Sequence, residues 1–122
     1  MPQKILIVED DKFVRDLITK LLTKEGFDIS IAVDGQEGID KIEKESPDLV
    51  LLDLLLPKLD GFEILEKKKG DPKLAKIPVI ILSNLGQKEE IEKGLSLGAV
   101  NYLIKAHFSP REIVDKIKKI FE

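Results

Sequence analysis

The chain has 122 residues, 43% of them hydrophobic and 35% charged, which suits one globular domain that buries its own core and leaves no need for a second. Its 20 basic and 23 acidic residues nearly cancel, for a net charge of -3, so neither nucleic acid nor a membrane surface is favoured as the main partner. The absence of cysteine excludes disulfides and thiolate metal sites and suits a reducing compartment.

Short runs rich in Ile, Leu and Val alternate with longer segments of helical period. "KILIV" (4–8) reads as a strand, and "KFVRDLITKLLTKE" repeats apolar residues at Phe13, Leu17, Ile18, Leu21 and Leu22, one stripe of a helix capped by Asp11 and ended by Gly26. "DISIAV" (28–33) alternates as a strand does, "GQEGIDKIEKE" is a short helix presenting Ile39 and Ile42, and "SPD" breaks the chain before the run "LVLLD". Asp60 caps a third helix, "GFEILEKKK", which buries Phe62 and Leu65, stops at "GDP" and turns Lys67, Lys68 and Lys69 to solvent. "IPVIILS" (77–83) is the fourth strand, "QKEEIEKGLSLG" the fourth helix and "VNYLI" (100–104) the fifth strand. The last helix opens with a capping box, Ser109 and Glu112, with Pro110 at its first position and Phe108 stapled onto Ile113. Its buried stripe is Ile113, Val114, Ile117, Ile120 and Phe121.

Five beta-alpha units in series, with strands apolar along their whole length, predict an α/β fold: a doubly wound parallel sheet with helices on both faces. Residues 1–122 form that one domain. No apolar run approaches the ~20 residues of a membrane span, and the N-terminus lacks the pattern of a secretory signal. The expected location is the cytoplasm. High charge, one methionine and no tryptophan also suit a heat-adapted source.

Ligands of such sheets bind in the crevice beyond the carboxyl ends of the strands. The strand ends supply Glu9 and Asp10, then Asp53, Ser83 and Lys105. Three carboxylates brought together repel one another and take up protons unless a cation balances them. Mg²⁺ is the natural candidate, because it takes oxygen ligands and completes its shell with waters and a phosphate. Lys105 supplies a mobile ammonium and Ser83 a hydroxyl donor. An aspartate flanked by a hard cation, an ammonium and a hydroxyl is equipped to attack phosphorus and hold an acyl phosphate.

"ILIVEDD", "DLVLLDLLLPKLDG", "PVIILS" and "GAVNYLIK" resemble, in order and spacing, the receiver domain of two-component response regulators, the CheY-like family, over nearly the whole chain. The resemblance implies strand order 2-1-3-4-5. It implies that Asp53 accepts a phosphoryl group from a sensor histidine kinase or a histidine phosphotransfer protein. Mg²⁺ would be held by Glu9, Asp10 and Asp53 with the backbone carbonyl of Leu55. Ser83 and Lys105 would contact the phosphoryl oxygens, and Tyr102 would change rotamer as Ser83 moves. The switched face, made by the fourth helix, fifth strand and last helix, would meet a downstream effector protein, and a homodimer through that face is open. Slow self-dephosphorylation would follow, without conventional enzyme activity.

Two departures stand out. The family has Lys-Pro-Phe after strand five where this chain reads "KAHF", so a trans bond and a longer loop are expected. Apolar Leu55 and Leu85 lie two residues after Asp53 and Ser83, where they would hinder an in-line water and prolong the acyl phosphate.

Taken singly, each site residue has an ordinary explanation. Asp53 is then a turn residue, Glu9 and Asp10 serve a helix dipole, Ser83 ends a strand, Lys105 is a surface lysine and Tyr102 packs on an edge strand. Their combination at four strand ends carries the reading. His107 has no second histidine or cysteine to complete a transition-metal site and reads as a loop residue. The alternatives are a phosphohydrolase working through a phosphoaspartate, and a binding module that kept the fold without the chemistry, including a flavodoxin-like flavin holder. Leu55, where a hydrolase places a second acid, and the scarcity of aromatic residues count against them.

Overall fold

The computed structural model describes residues 2–122. Its elements in chain order are β1 (Lys4–Val8), α1 (Lys12–Lys24), β2 (Asp28–Ala32), α2 (Gly35–Glu45), β3 (Leu49–Leu52), α3 (Gly61–Lys69), α4 (Pro72–Ala75), β4 (Val79–Ser83), α5 (Lys88–Ser96), β5 (Asn101–Ile104) and α6 (Pro110–Ile120). A 3-10 turn, Lys105–His107, links β5 to α6. The five strands form one parallel sheet in the order β2-β1-β3-β4-β5, as the repeated units and the resemblance led one to expect.

Alternation within the central strands divides the core in two. Leu6 and Val8, Val50 and Leu52, Val79 and Ile81 face α2 and α3, where Ile39, Ile42, Ile64 and Leu65 complete one cluster. Ile5 and Ile7, Leu49 and Leu51, Ile80 and Leu82 face α1 and α6, meeting Ile18, Leu22, Ile113, Val114 and Ile117. Burial on both faces explains why these strands are apolar at every position.

The helices begin where their caps dictate. Asp11 accepts from Val14 N–H at 3.2 Å, while Asp60 with Glu63 and Ser109 with Glu112 close reciprocal capping boxes. Phe108 packs among the residues under α6, where a staple requires it. Gly26 takes φ +95° after α1, a left-handed turn that a side chain disfavours. No cis peptide bond occurs among the described residues, so "KAHF" runs trans as expected, wound into the 3-10 turn.

Four expectations need correction. The chain after α3 does not simply stop at "GDP": Asp71 accepts from Lys73 N–H at 2.9 Å and starts the short helix α4 with Pro72 at its first position. Lys68 is not on the solvated face but 5% exposed, its Nζ donating to Ala75 O at 3.2 Å. It lies on the stripe of Ile64 and Leu65, and burial lowers its pKa from the ordinary lysine value. Phe13, near the start of α1, is 76% exposed, and Ile120, at the end of α6, 38% exposed. Phe62 is only half-buried and meets the Lys93 ammonium 4.4 Å from its ring centre.

Replacing Ser109 by Ala removes the cap of α6 and is expected to cost about 1 kcal/mol in urea unfolding. Phe13→Ser should change stability by less than about 0.5 kcal/mol; a larger loss would restore Phe13 to the core.

Candidate functional site

The alternation that builds the core also builds the site. Glu9 continues the face of Ile5 and Ile7, Asp53 that of Leu49 and Leu51, and Lys105 that of Leu103. Val8 pairs with Leu52, and Asp53 N–H donates to Val8 O at 3.0 Å, so the next step of the two strands puts Glu9 beside Asp53. Both are buried, at 3% and 6% exposure. Beneath them lies a void of only about 10 Å³ lined by Ile7, Val14, Ile18, Leu51 and Leu82. The carboxylates therefore stand on a closely packed, mainly apolar floor.

One ammonium answers them. Lys105 Nζ lies 2.5 Å from Glu9 Oε1 and 2.9 Å from Asp53 Oδ2. The contact to Asp53 is an aligned hydrogen bond. The contact to Glu9 is the shorter of the two, a close ion pair at one carboxylate oxygen. Burial pushes the Glu9 carboxyl up to about 7 against the pull of Lys105, and the charge of Asp53 pushes the same way. For Lys105, burial disfavours the charge, but hydrogen bonds to Glu9 and Asp53 outweigh it and raise the ammonium above its ordinary value.

Glu9, Asp10 and Asp53 can each offer an oxygen within 4.8 Å of the others. Asp10 is exposed at the rim. Two buried carboxylates and a third at the rim, sharing one ammonium, are hard-oxygen donors with excess negative charge and fit a divalent cation of the Mg²⁺ or Mn²⁺ type. Leu55 N–H donates to Asp53 Oδ1 at 3.3 Å, so the loop after β3 both orients that carboxylate and carries the carbonyl singled out above.

Ser83 ends β4, fully buried, and its Oγ accepts from Leu85 N–H at 3.3 Å; it takes no part in the ion pairs of Glu9, Asp53 and Lys105. Tyr102 lies on the opposite face of the sheet, its hydroxyl donating to Leu85 O. Burial pushes the Tyr102 phenol up to about 12, with the charges of Glu90 and Asp53 adding to it. His107 is exposed.

Arg15 escaped the reading of the sequence. Its Nη1 donates to the carbonyls of Glu9 at 2.9 Å and Asp10 at 3.3 Å, bracing the backbone of the acidic pair. Because its partners are backbone atoms, the only signal was a cation one turn into the helix that follows them.

A parallel 2-1-3-4-5 sheet with this edge has known counterparts. The chain matches the response regulator receiver domain over residues 5–118 and belongs to that family. The regulatory protein VanRc of Enterococcus gallinarum is 41% identical over 118 residues, which span 97% of this chain and 49% of that protein. The chemotaxis protein CheY of Treponema pallidum (strain Nichols) is 39% identical over 124 residues, spanning 99% of this chain and 84% of that protein. The Mn(2+)-bound form of response regulator Rcp1 superposes with a TM-score of 0.87 at 30% identity, covering 98% of this chain and 94% of that one. The chain spans about half the length of several curated relatives it matches. It is thus a two-component receiver domain, of a family of signalling proteins and not of conventional enzymes.

The raised Glu9 pKa fixes a pH dependence for the metal-free protein. The folded state binds this proton more tightly than the unfolded chain, so the stabilisation is complete below the ordinary value of 4.5 and is lost as pH rises through about 7. With a chelator present, the wild type's urea-unfolding free energy should fall relative to Glu9→Gln between about pH 4.5 and pH 7. A constant difference between the two proteins would contradict the assignment.

Proposed function

We propose that this domain is a phosphorylation-activated switch whose phosphoacceptor is Asp53. The observation that carries the reading is the buried aspartate held by Lys105 beside two further carboxylates at the sheet's carboxyl edge. In the transfer, an Asp53 carboxylate oxygen attacks phosphorus as the bond from phosphorus to the imidazole nitrogen of a phosphohistidine breaks, and the imidazole leaves with the electron pair. The donor is a sensor histidine kinase or a histidine phosphotransfer protein. Glu9, Asp10, Asp53 and the Leu55 carbonyl would hold Mg²⁺, which when bound offsets phosphoryl charge. Lys105, freed from its carboxylate partner, pairs with a phosphoryl oxygen, and Ser83 donates its hydroxyl hydrogen to another.

The new group brings about -1.5 to -2 charges. The effector-binding surface in this reading is α5, β5 and α6, reached through Ser83 and Tyr102, and it serves equally for a homodimer. The Mn(2+)-bound relative Rcp1 supports a divalent cation. No helix among the described residues is long and apolar enough to cross a membrane. In this reading residues 1–122 are one domain working in the cytoplasm. A phosphohydrolase is disfavoured by Leu55, 56% exposed where a second acid would stand.

Incubation with Mg²⁺ and acetyl phosphate should add one phosphoryl group by mass, absent from Asp53→Asn. An adduct that persists in this variant would move the acceptor elsewhere, and a wild type that gains none would remove the reading.

Leu55 and the half-buried Leu85 also crowd the approach of water. The double variant Leu55→Asn, Leu85→Gln should lose its phosphoryl group about tenfold faster, a barrier change of about 1.4 kcal/mol. An unaltered decay rate would show that these leucines do not govern the lifetime, which otherwise ends in slow self-dephosphorylation.

A further inference from the structure

The loop between β3 and α3 leaves the sheet directly from Asp53, and its exposed middle includes Leu55, Pro57 and Lys58. Its own bonds are few: Leu59 N–H donates to Pro57 O at 2.8 Å, and Gly61 N–H to Leu54 O at 3.0 Å. The first turn of α2 supplies further restraint. Gly35 N–H donates to Pro57 O at 3.1 Å. Lys58, at φ +69°, places its ammonium 3.4 Å from Asp34 Oδ2, while Asp34 caps α2 by accepting from Glu37 N–H at 2.8 Å.

The approach is closest at Gly35 itself, which is buried. A Cβ there would lie 1.5 Å from Leu59 O and 2.4 Å from Leu59 C. Both are backbone atoms, so no rotamer change relieves the overlap; the loop or the helix must move. The contact between α2 and the loop is thus one of backbone on backbone, which only a residue without a side chain permits.

We propose that Gly35 is a positioning residue for the phosphoacceptor site: by seating the loop against α2 it holds the Leu55 N–H on Asp53 and the Leu55 carbonyl toward the cation. The N–H half of this is geometry at the site, and the carbonyl half rests on the receiver chemistry proposed above. The restraint is reciprocal, since a cation that prefers the seated loop must also tighten the hydrogen bond from Gly35 to Pro57.

The test titrates Mg²⁺ by calorimetry into the wild type, Gly35→Ala and, as a control that loosens the core under the same helix, Ile42→Val. Gly35→Ala is expected to bind Mg²⁺ about tenfold more weakly, the scale found when supports of metal ligands are removed, with Ile42→Val indistinguishable from the wild type. Equal affinity in Gly35→Ala overturns the proposal, as does an equal loss in Ile42→Val. Should Gly35→Ala not fold, hydrogen exchange on the wild type decides: Mg²⁺ must slow exchange of the Gly35 amide severalfold, and an unchanged rate overturns the positioning role. A wild type that binds no Mg²⁺ instead removes the receiver chemistry and the positioning role together, so the two failures are told apart.

Discussion

The site depends on a single ammonium placed between two buried carboxylates. Glu9 and Asp53 come together because β1 and β3 are neighbours and both continue the face that packs on α1 and α6. Left alone on that apolar floor they would be two like charges out of water, an arrangement that costs several kcal/mol. Lys105 follows directly on β5, two strands beyond β3, and strands lie about 4.8 Å apart. A short cationic side chain would not cross the end of β4; the lysine stem does, and its Nζ reaches both partners. The same reach allows the ammonium to follow a charge that appears on Asp53 without any change in the sheet.

This balance is incomplete by construction. One ammonium cannot neutralise three carboxylates, and Lys105 is shared between two of them. Burial first, and the charge of Asp53 after it, push the Glu9 carboxyl up to about 7 in the metal-free protein, so a proton there or a metal ion can offset the residual charge. Cation affinity and proton affinity at this edge are thus two readings of one electrostatic deficit.

Most of this was legible in the sequence because strand ends and residue types point the same way: apolar runs closing on Glu9, Asp53, Ser83 and Lys105 name both the sheet and its crevice. What escaped notice shares a physical cause. Lys68 looked solvated because of its charge and two lysine neighbours, although its spacing from Ile64 and Leu65 puts its stem on the buried stripe. Phe13 and Ile120 lie in the terminal turns of their helices, and a periodic pattern does not report where a helix stops being covered. Arg15 and Gly35 act on backbone carbonyls, which every residue possesses, so no partner residue type marks them.

One residue links Ser83 to Tyr102. Leu85 N–H donates to Ser83 Oγ, and Leu85 O accepts from the Tyr102 hydroxyl. Ser83 is thus used as an acceptor and keeps its hydroxyl hydrogen for another oxygen. In the proposed chemistry, a Ser83 drawn toward a phosphoryl group carries Leu85 with it and displaces the acceptor on which the Tyr102 hydroxyl rests. The ring below is wedged against α5 at Gly94, where even a Cβ would come within 3.2 Å of it. In the proposed switch, the ring either stays under the helix with its hydroxyl bonded or leaves as the helix resettles, a two-state element that the phosphoacceptor and a partner on the α5, β5 and α6 face would both bias.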